Sequence, residues 1–167
     1  MGLFDFMRGK KEPTAPVFPV SLGAPAKGKF LPMEQVPDEV FSTGVLGVCC
    51  GVDPVEGKIY APVDGKISQL ADTLHAVGIE AGEVSVLIHV GVDTVEMNGD
   101  GFHTEVKMGQ TVKKGDLLMT MDLAKIAAAG HSAVAIMAVT NTDEFSAVEL
   151  VASGEVQAGD DVLKISK

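Results

Sequence analysis

The chain contains no tryptophan and a single tyrosine, and aromatic residues make up only 5 % of its 167 positions. With hydrophobic residues at 46 %, the interior has to be assembled from Val, Ile, Leu, Ala and Met. Basic residues are scarce as well. Thirteen Lys and Arg stand against 23 Asp and Glu, a net charge of −10, which excludes nucleic acid as the main ligand because a phosphate backbone requires a basic surface. An acidic surface suits a basic protein partner instead. Cysteine is confined to Cys49 and Cys50. Neighbours in sequence rarely meet disulfide geometry, so both are expected as reduced thiols, at least one packed as a small hydrophobe. No apolar run approaches transmembrane length, and no secretory core with a cleavage site is present. The expected location is therefore cytoplasmic. Also missing are a Walker loop, a kinase signature and an HExxH zinc motif.

Glycine, by contrast, is plentiful. Nineteen Gly and eight Pro imply many turns between short strands, the pattern of an all-β domain, and 167 residues suit a single one. Residues 1–11 (MGLFDFMRGKK) differ in character, with Leu3, Phe4, Phe6 and Met7 followed by Arg8, Lys10 and Lys11. This segment is expected to be either a frayed tail or an amphipathic helix in peripheral contact with the inner face of the membrane. Phe6 occupies the place where N-myristoylation needs Ser or Thr. Pro13, Pro16, Pro19 and Pro25 mark residues 12–26 as a linker in which only Val17 to Val20 could be extended, and the domain is expected to span 27–167. Within it, Asp38 is placed to cap one helical turn, Pro62-Val63-Asp64-Gly65 forms a turn, and Leu123 to Ala129 is the one convincing helix, ending at Gly130.

The chain is organised around Val84 to Val95 (VSVLIHVGVDTV), a β-branched run with His89 in its middle. Such a run reads as a buried strand, and a buried imidazole needs a hydrogen-bonding partner. A second histidine, His75, precedes it across a hairpin with Ala81-Gly82-Glu83 at the tip. Folding there pairs Ile79 with Ser85, Val77 with Leu87, His75 with His89 and Thr73 with Gly91. Alternation then puts Thr73, His75, His89 and Asp93 on one face, with directly opposed Cβ atoms about 5 Å apart.

Three chemistries could use that cluster. In a phosphoryl relay, a neutral imidazole nitrogen attacks phosphorus and carries the group as phosphohistidine, while His75 and Thr73 supply donors to the dianion. A zinc site would take His75 and His89, with Asp93 as a third ligand. A swinging-arm carrier resembling biotinyl and lipoyl domains fails, because Met121-Asp122-Leu123 has no lysine where the modified one belongs.

The domain from about Phe30 to Lys167 resembles the glucose-type enzyme IIA of the bacterial phosphoenolpyruvate-dependent sugar phosphotransferase system. The residues that carry the resemblance are Val36 to Ser42 (VPDEVFS), Tyr60 to Gly65 (YAPVDG), Thr73 to Ala76 (TLHA) and Leu87 to Glu96 (LIHVGVDTVE). The first five residues (MGLFD) look like the tail of stand-alone members. The resemblance implies an antiparallel β-sandwich or barrel of the duplicated hybrid-motif type with one or two short helices. It further implies that His89 is phosphorylated on Nε2, that His75 supports the phosphoryl group and that Thr73 orients His75. The donor implied is the histidine phosphocarrier protein, and the acceptor is a cysteine of a sugar-specific IIB domain. Both would dock on an apolar rim matched here by Val40 and Phe41, with Val45, Leu46 and Val95 as candidates. There is no intrinsic cofactor in the family. In some relatives the two histidines share zinc with a regulated partner, which would make His75 and His89 metal ligands at such an interface. The paired cysteines, a shorter inter-histidine loop and Ala133-Val134-Ala135 depart from the family pattern, away from the phosphoryl site.

Overall fold

The computed structural model describes residues 16–167 and is built almost wholly of antiparallel strands. In chain order these are β1 (Val20–Gly23), β2 (Gly28–Pro32), β3 (Val48–Pro54), β4 (Lys58–Tyr60), β5 (Gly65–Leu70), β6 (Ala76–Ala81) and β7 (Val84–Val90). They continue as β8 (Phe102–His103), β9 (Thr111–Val112), β10 (Leu117–Met121), β11 (Ala135–Val139), β12 (Ala147–Leu150), β13 (Glu155–Val156) and β14 (Asp161–Ser166). Eight strands form one sheet in the order β13-β2-β3-β11-β7-β6-β5-β9, while β1-β14-β12 and β4-β10-β8 form two small ones. None of the sheets closes on itself, so the architecture is an antiparallel sandwich and not a barrel. The Pro62 to Gly65 turn carries the chain from β4 in a small sheet to β5 in the large one.

The large sheet is covered on both faces, and its central strands show why. β7 alternates strictly: Val84, Val86, Ile88 and Val90 are buried, while Ser85, Leu87 and His89 are half-exposed. One set points into the main core with Leu22, Ile59, Ile67, Ile79, Met137 and Leu163. The other faces a small second core of Val36, Phe41, Cys49, Val134, Ile136 and Ala138. β11, between β7 and β3, is buried along its whole length and carries no polar residue, as a strand covered on both sides must.

Local signals for helices are met. Asp122 caps α1 (Leu123–Ala128) by accepting the Lys125 amide at 3.1 Å, and Gly130 follows at φ 84°. Asp38 accepts the amides of Val40 and Phe41 at 2.9 and 3.0 Å and so starts the 3-10 turn Phe41–Thr43. That turn lays Phe41 over the outer face of the large sheet.

The expected linker over 12–26 requires correction. Val20–Gly23 is a strand paired with β14, Val20 opposite Ile165 and Leu22 opposite Leu163. Ala24 and Ala26 are buried as well. Pro19 and Pro25 flank this strand without interrupting its ladder, and the alternation of Val20 and Leu22 toward the core outweighs the proline signal. The domain therefore starts before Lys27. The expected tail, 1–11, and the first part of the linker lie outside the described residues.

These packing facts predict that Leu22→Ala lowers unfolding free energy by about 2–4 kcal/mol, as a fully buried leucine should. A linker residue would change it by no more than about 0.5 kcal/mol. Urea denaturation of the full chain distinguishes the two.

Candidate functional site

The β6–β7 hairpin is tighter than the sequence pattern suggests. Its turn is the two residues Gly82 and Glu83, with Ala81 opposite Val84, so that Ala76 and not His75 stands opposite His89. The expected register is thus corrected by one residue. Such a slip normally reverses every side chain between faces, and by that rule His75 would leave the site. It does not, because β6 ends at Ala76. His75 lies just beyond, opposite Val90, whose amide donates to the His75 carbonyl at 2.7 Å. The preceding residue, Leu74, turns into the left-handed region at φ 60°. Past the end of the strand, alternation no longer dictates direction, and the two imidazoles meet edge-on with centroids 5.0 Å apart.

Each ring has one nitrogen occupied. His89 Nδ1 lies 2.8 Å from the Gly91 carbonyl. A carbonyl only accepts, so Nδ1 carries the proton and the lone pair sits on Nε2. Phe41 packs against the other side of this imidazole at 5.3 Å between centroids. His75 Nδ1 is 2.5 Å from Thr73 Oγ1. With the threonine hydroxyl donating, His75 presents an Nε2–H outward. Burial, and then the nearby His89, push the His75 pKa below its ordinary 6.5, so the ring is neutral near pH 7.

Thr73, His75 and His89 are therefore brought together, by contacts other than the strand pairing expected. Asp93 is not placed by alternation at all. β7 stops at Val90, and Asp93 is an exposed left-handed residue at φ 61° ahead of the 3-10 turn Thr94–Met97. It does not complete a three-ligand group with the two histidines, and no group of three or more potential ligands occurs among the described residues.

The other apolar residues expected in the rim lie at the surface. Val40, Val45, Leu46 and Val95 are exposed, Val45 to 71 %. Phe41, expected in the same rim, is only 5 % exposed and supports His89 from beneath. Unanticipated from sequence is an open apolar hollow of about 320 Å³ lined by Gln69, Leu70, Ala71, Ala76 and Met108. It adjoins the site through Ala76, and only the corrected register reveals that connection. The Gly91 carbonyl was also missed, although a glycine two residues after a strand histidine is the available signal.

Cys49 and Cys50 are both free and buried. Burial, with a smaller contribution from Asp38, raises the Cys49 pKa to about 11, and burial pushes Cys50 further up. Both are thiols at neutral pH. Among the described residues no helix is long and apolar enough to cross a membrane.

Residues 20–145 match the family model described as phosphoenolpyruvate-dependent sugar phosphotransferase system, EIIA 1. The glucose-specific EIIA component of Haemophilus influenzae is 40 % identical over 164 residues, covering 98 % of this chain and 97 % of that protein. The beta-glucoside-specific EIIBCA component of Dickeya chrysanthemi is 42 % identical over 139 residues, 83 % of this chain, which thus spans only 22 % of that longer relative. Among solved structures, glucose permease IIA from Mycoplasma capricolum superimposes with a TM-score of 0.78 at 34 % identity, covering 87 % of this chain and 94 % of that one.

The electrostatics of the ring pair predict an NMR titration in which His75 has its midpoint below 6.5. His89→Gln removes the second of the two causes, so the midpoint rises but stays below that value. The sign for stability follows. The unfolded chain binds this proton more tightly than the folded one, so acidification below 6.5 destabilises the fold at this residue.

Proposed function

The chain belongs to the EIIA 1 family of the phosphoenolpyruvate-dependent sugar phosphotransferase system, and on that premise we propose that His89 Nε2 is the atom that receives and releases its phosphoryl group. Membership makes the protein a phosphocarrier in sugar uptake, a phosphotransferase component that works through phosphohistidine. The observation that carries the residue assignment is the hydrogen bond from His89 Nδ1 to the Gly91 carbonyl. It fixes the proton on one nitrogen and leaves the other nucleophilic.

In the proposed transfer, the Nε2 lone pair attacks phosphorus in line with the bond to the donor, the N–P bond forms as the donor's bond breaks, and the electron pair leaves with the donor. The imidazole then bears Nδ1–H and Nε2–P and gains positive character, which the Gly91 carbonyl stabilises. The phosphoryl oxygens need donors, and His75, held by Thr73, is the neighbouring ring able to supply an N–H. No bound nucleotide is required when the donor is a phosphoprotein. We assign that role to the histidine phosphocarrier protein, and the acceptor role to a cysteine of a IIB domain.

Partnership with sugar-specific IIB and IIC domains agrees with relatives in which these parts share one polypeptide. Those relatives are named for beta-glucoside and glucosamine, and the stand-alone one for glucose. The site here meets a phosphoryl group and a protein surface, which explains how one domain serves several sugars. Val40, Val45, Leu46 and Val95, together with the hollow beside Ala76, form the proposed docking face, an apolar centre of the kind transient interfaces use. No observation favours a zinc-dependent module built on His75 and His89.

Two variants test the assignment. With phosphoenolpyruvate, the general phosphotransferase enzymes and this protein, His89→Gln is expected to take up no label. His75→Gln is expected to become labelled but to pass the group on about a hundredfold more slowly. Label retained by the His89 variant would refute the proposal.

A further inference from the structure

Among the described residues, Thr94 is the one polar residue other than the thiols and glycines that is fully buried, with 0 % of its surface exposed. Its hydroxyl donates to the Val90 carbonyl at 2.5 Å. That carbonyl belongs to the peptide unit joining Val90 to Gly91, whose amide donates to the Val134 carbonyl at 2.8 Å. Both ends of the unit are thereby fixed. The next unit begins with the Gly91 carbonyl, which accepts His89 Nδ1–H, and ends with the Val92 amide, which donates to Ser132 at 3.0 Å. Between the two units Gly91 has φ 83°. A Cβ there would lie 2.4 Å from Thr94 Cγ2 and 2.8 Å from the Ser132 carbonyl, so Thr94 packs directly on the glycine.

We propose that Thr94 is a positioning residue for the phosphoryl acceptor: by holding the Val90–Gly91 peptide it aims the Gly91 carbonyl at His89 and thereby selects the Nδ1–H tautomer that leaves Nε2 free to attack. The inference rests on the assignment of His89 above. Thr94 itself touches neither imidazole and acts through the backbone. The cost of losing its hydroxyl falls on the Val90 carbonyl, which is left without this donor at the end of the strand. The backbone relaxes to find another donor, and the Gly91 carbonyl turns with it. His89 then loses the bond that decides which nitrogen carries the proton.

The test compares Thr94→Val, which keeps shape and loses the hydroxyl, with Thr94→Ser, which keeps the hydroxyl and loses the methyl against Gly91. The readout is the pair of ¹⁵N shifts of His89 in the unphosphorylated full chain, pyrrole-type at Nδ1 and pyridine-type at Nε2 in the native protein. Thr94→Val is expected to average these shifts toward a tautomer mixture and to slow phosphoryl uptake about tenfold. Thr94→Ser is expected to keep both the native shifts and a rate within about twofold. Native shifts and rate in Thr94→Val would overturn the proposal, as would a mixed tautomer in Thr94→Ser. The second outcome remains decisive if the valine variant does not fold. Because the shifts are read before any phosphate is present, they are independent of whether His89 accepts label, and His89→Gln answers that separately.

Discussion

The hydrogen bond between His89 Nδ1 and the Gly91 carbonyl depends on where a strand ends. Along β7 the backbone groups of alternate residues are committed to β6 on one side and β11 on the other. The last of these bonds run from the Val90 amide to His75 and from the Gly91 amide to Val134. Beyond that point the ladder has no further claim on the Gly91 carbonyl, and the left-handed turn at Gly91 makes it available to a side chain two residues back. An imidazole in mid-strand would find every carbonyl on its flanks already occupied. Only at the exit does the sheet offer an acceptor that is both rigid and free, and a rigid acceptor gives an ambivalent ring a defined tautomer, on which the proposed role of His89 depends.

The same strand ending explains why the reactive face is neither bare nor sealed. An eight-stranded sheet with apolar residues on its outer side must be covered, and a second core centred on Phe41, Cys49 and Ile136 covers part of it. Phe41 thus packs on His89 as part of the cover, and the Cys49 thiol donates to its carbonyl at 3.3 Å. The vicinal cysteines point to opposite sides of β3 and enter different cores. Their raised pKa values keep both as uncharged packing groups. The hollow from Ala76 and Leu70 to Met108 stays open.

What could be read from the sequence was what local chemistry decides. Turn density gave the all-β class, Asp122 and Gly130 the helix limits, and Asp38 the cap that places Phe41. The pairing of β6 with β7 was legible but its register was not, because Ala81-Gly82-Glu83 accommodates a two- or a three-residue turn and periodicity favours neither. His75 does meet His89, by a route that strand alternation does not supply. Alternation predicts direct opposition, whereas His75 reaches its neighbour from beyond the end of the strand after the turn at Leu74. The strand pattern ends at Val90, so the turn at φ 61°, and not alternation, decides where Asp93 stands. Prolines around residues 12–26 concealed β1, whose place depends on β14, some 140 positions away in the chain and invisible to any local signal.

A phosphocarrier must release what it accepts, and this limits how strongly the site can hold a dianion. A fixed arginine beside His89 would stabilise phosphohistidine by charge-assisted, bidentate contact and slow its departure. A second histidine is a weaker and conditional partner. Before transfer, burial and the first ring both disfavour a proton on His75, so it offers an uncharged N–H and does not attract anions in general. In the proposed transfer to His89, the nearby negative charge of the dianion would reverse that bias and favour protonation. The stabilisation therefore grows only while the phosphoryl group is present, and it vanishes when the group moves on. Two imidazoles in edge-on contact, each with Nδ1 against an oxygen and Nε2 uncommitted by those bonds, suit the reversible exchange proposed for this site.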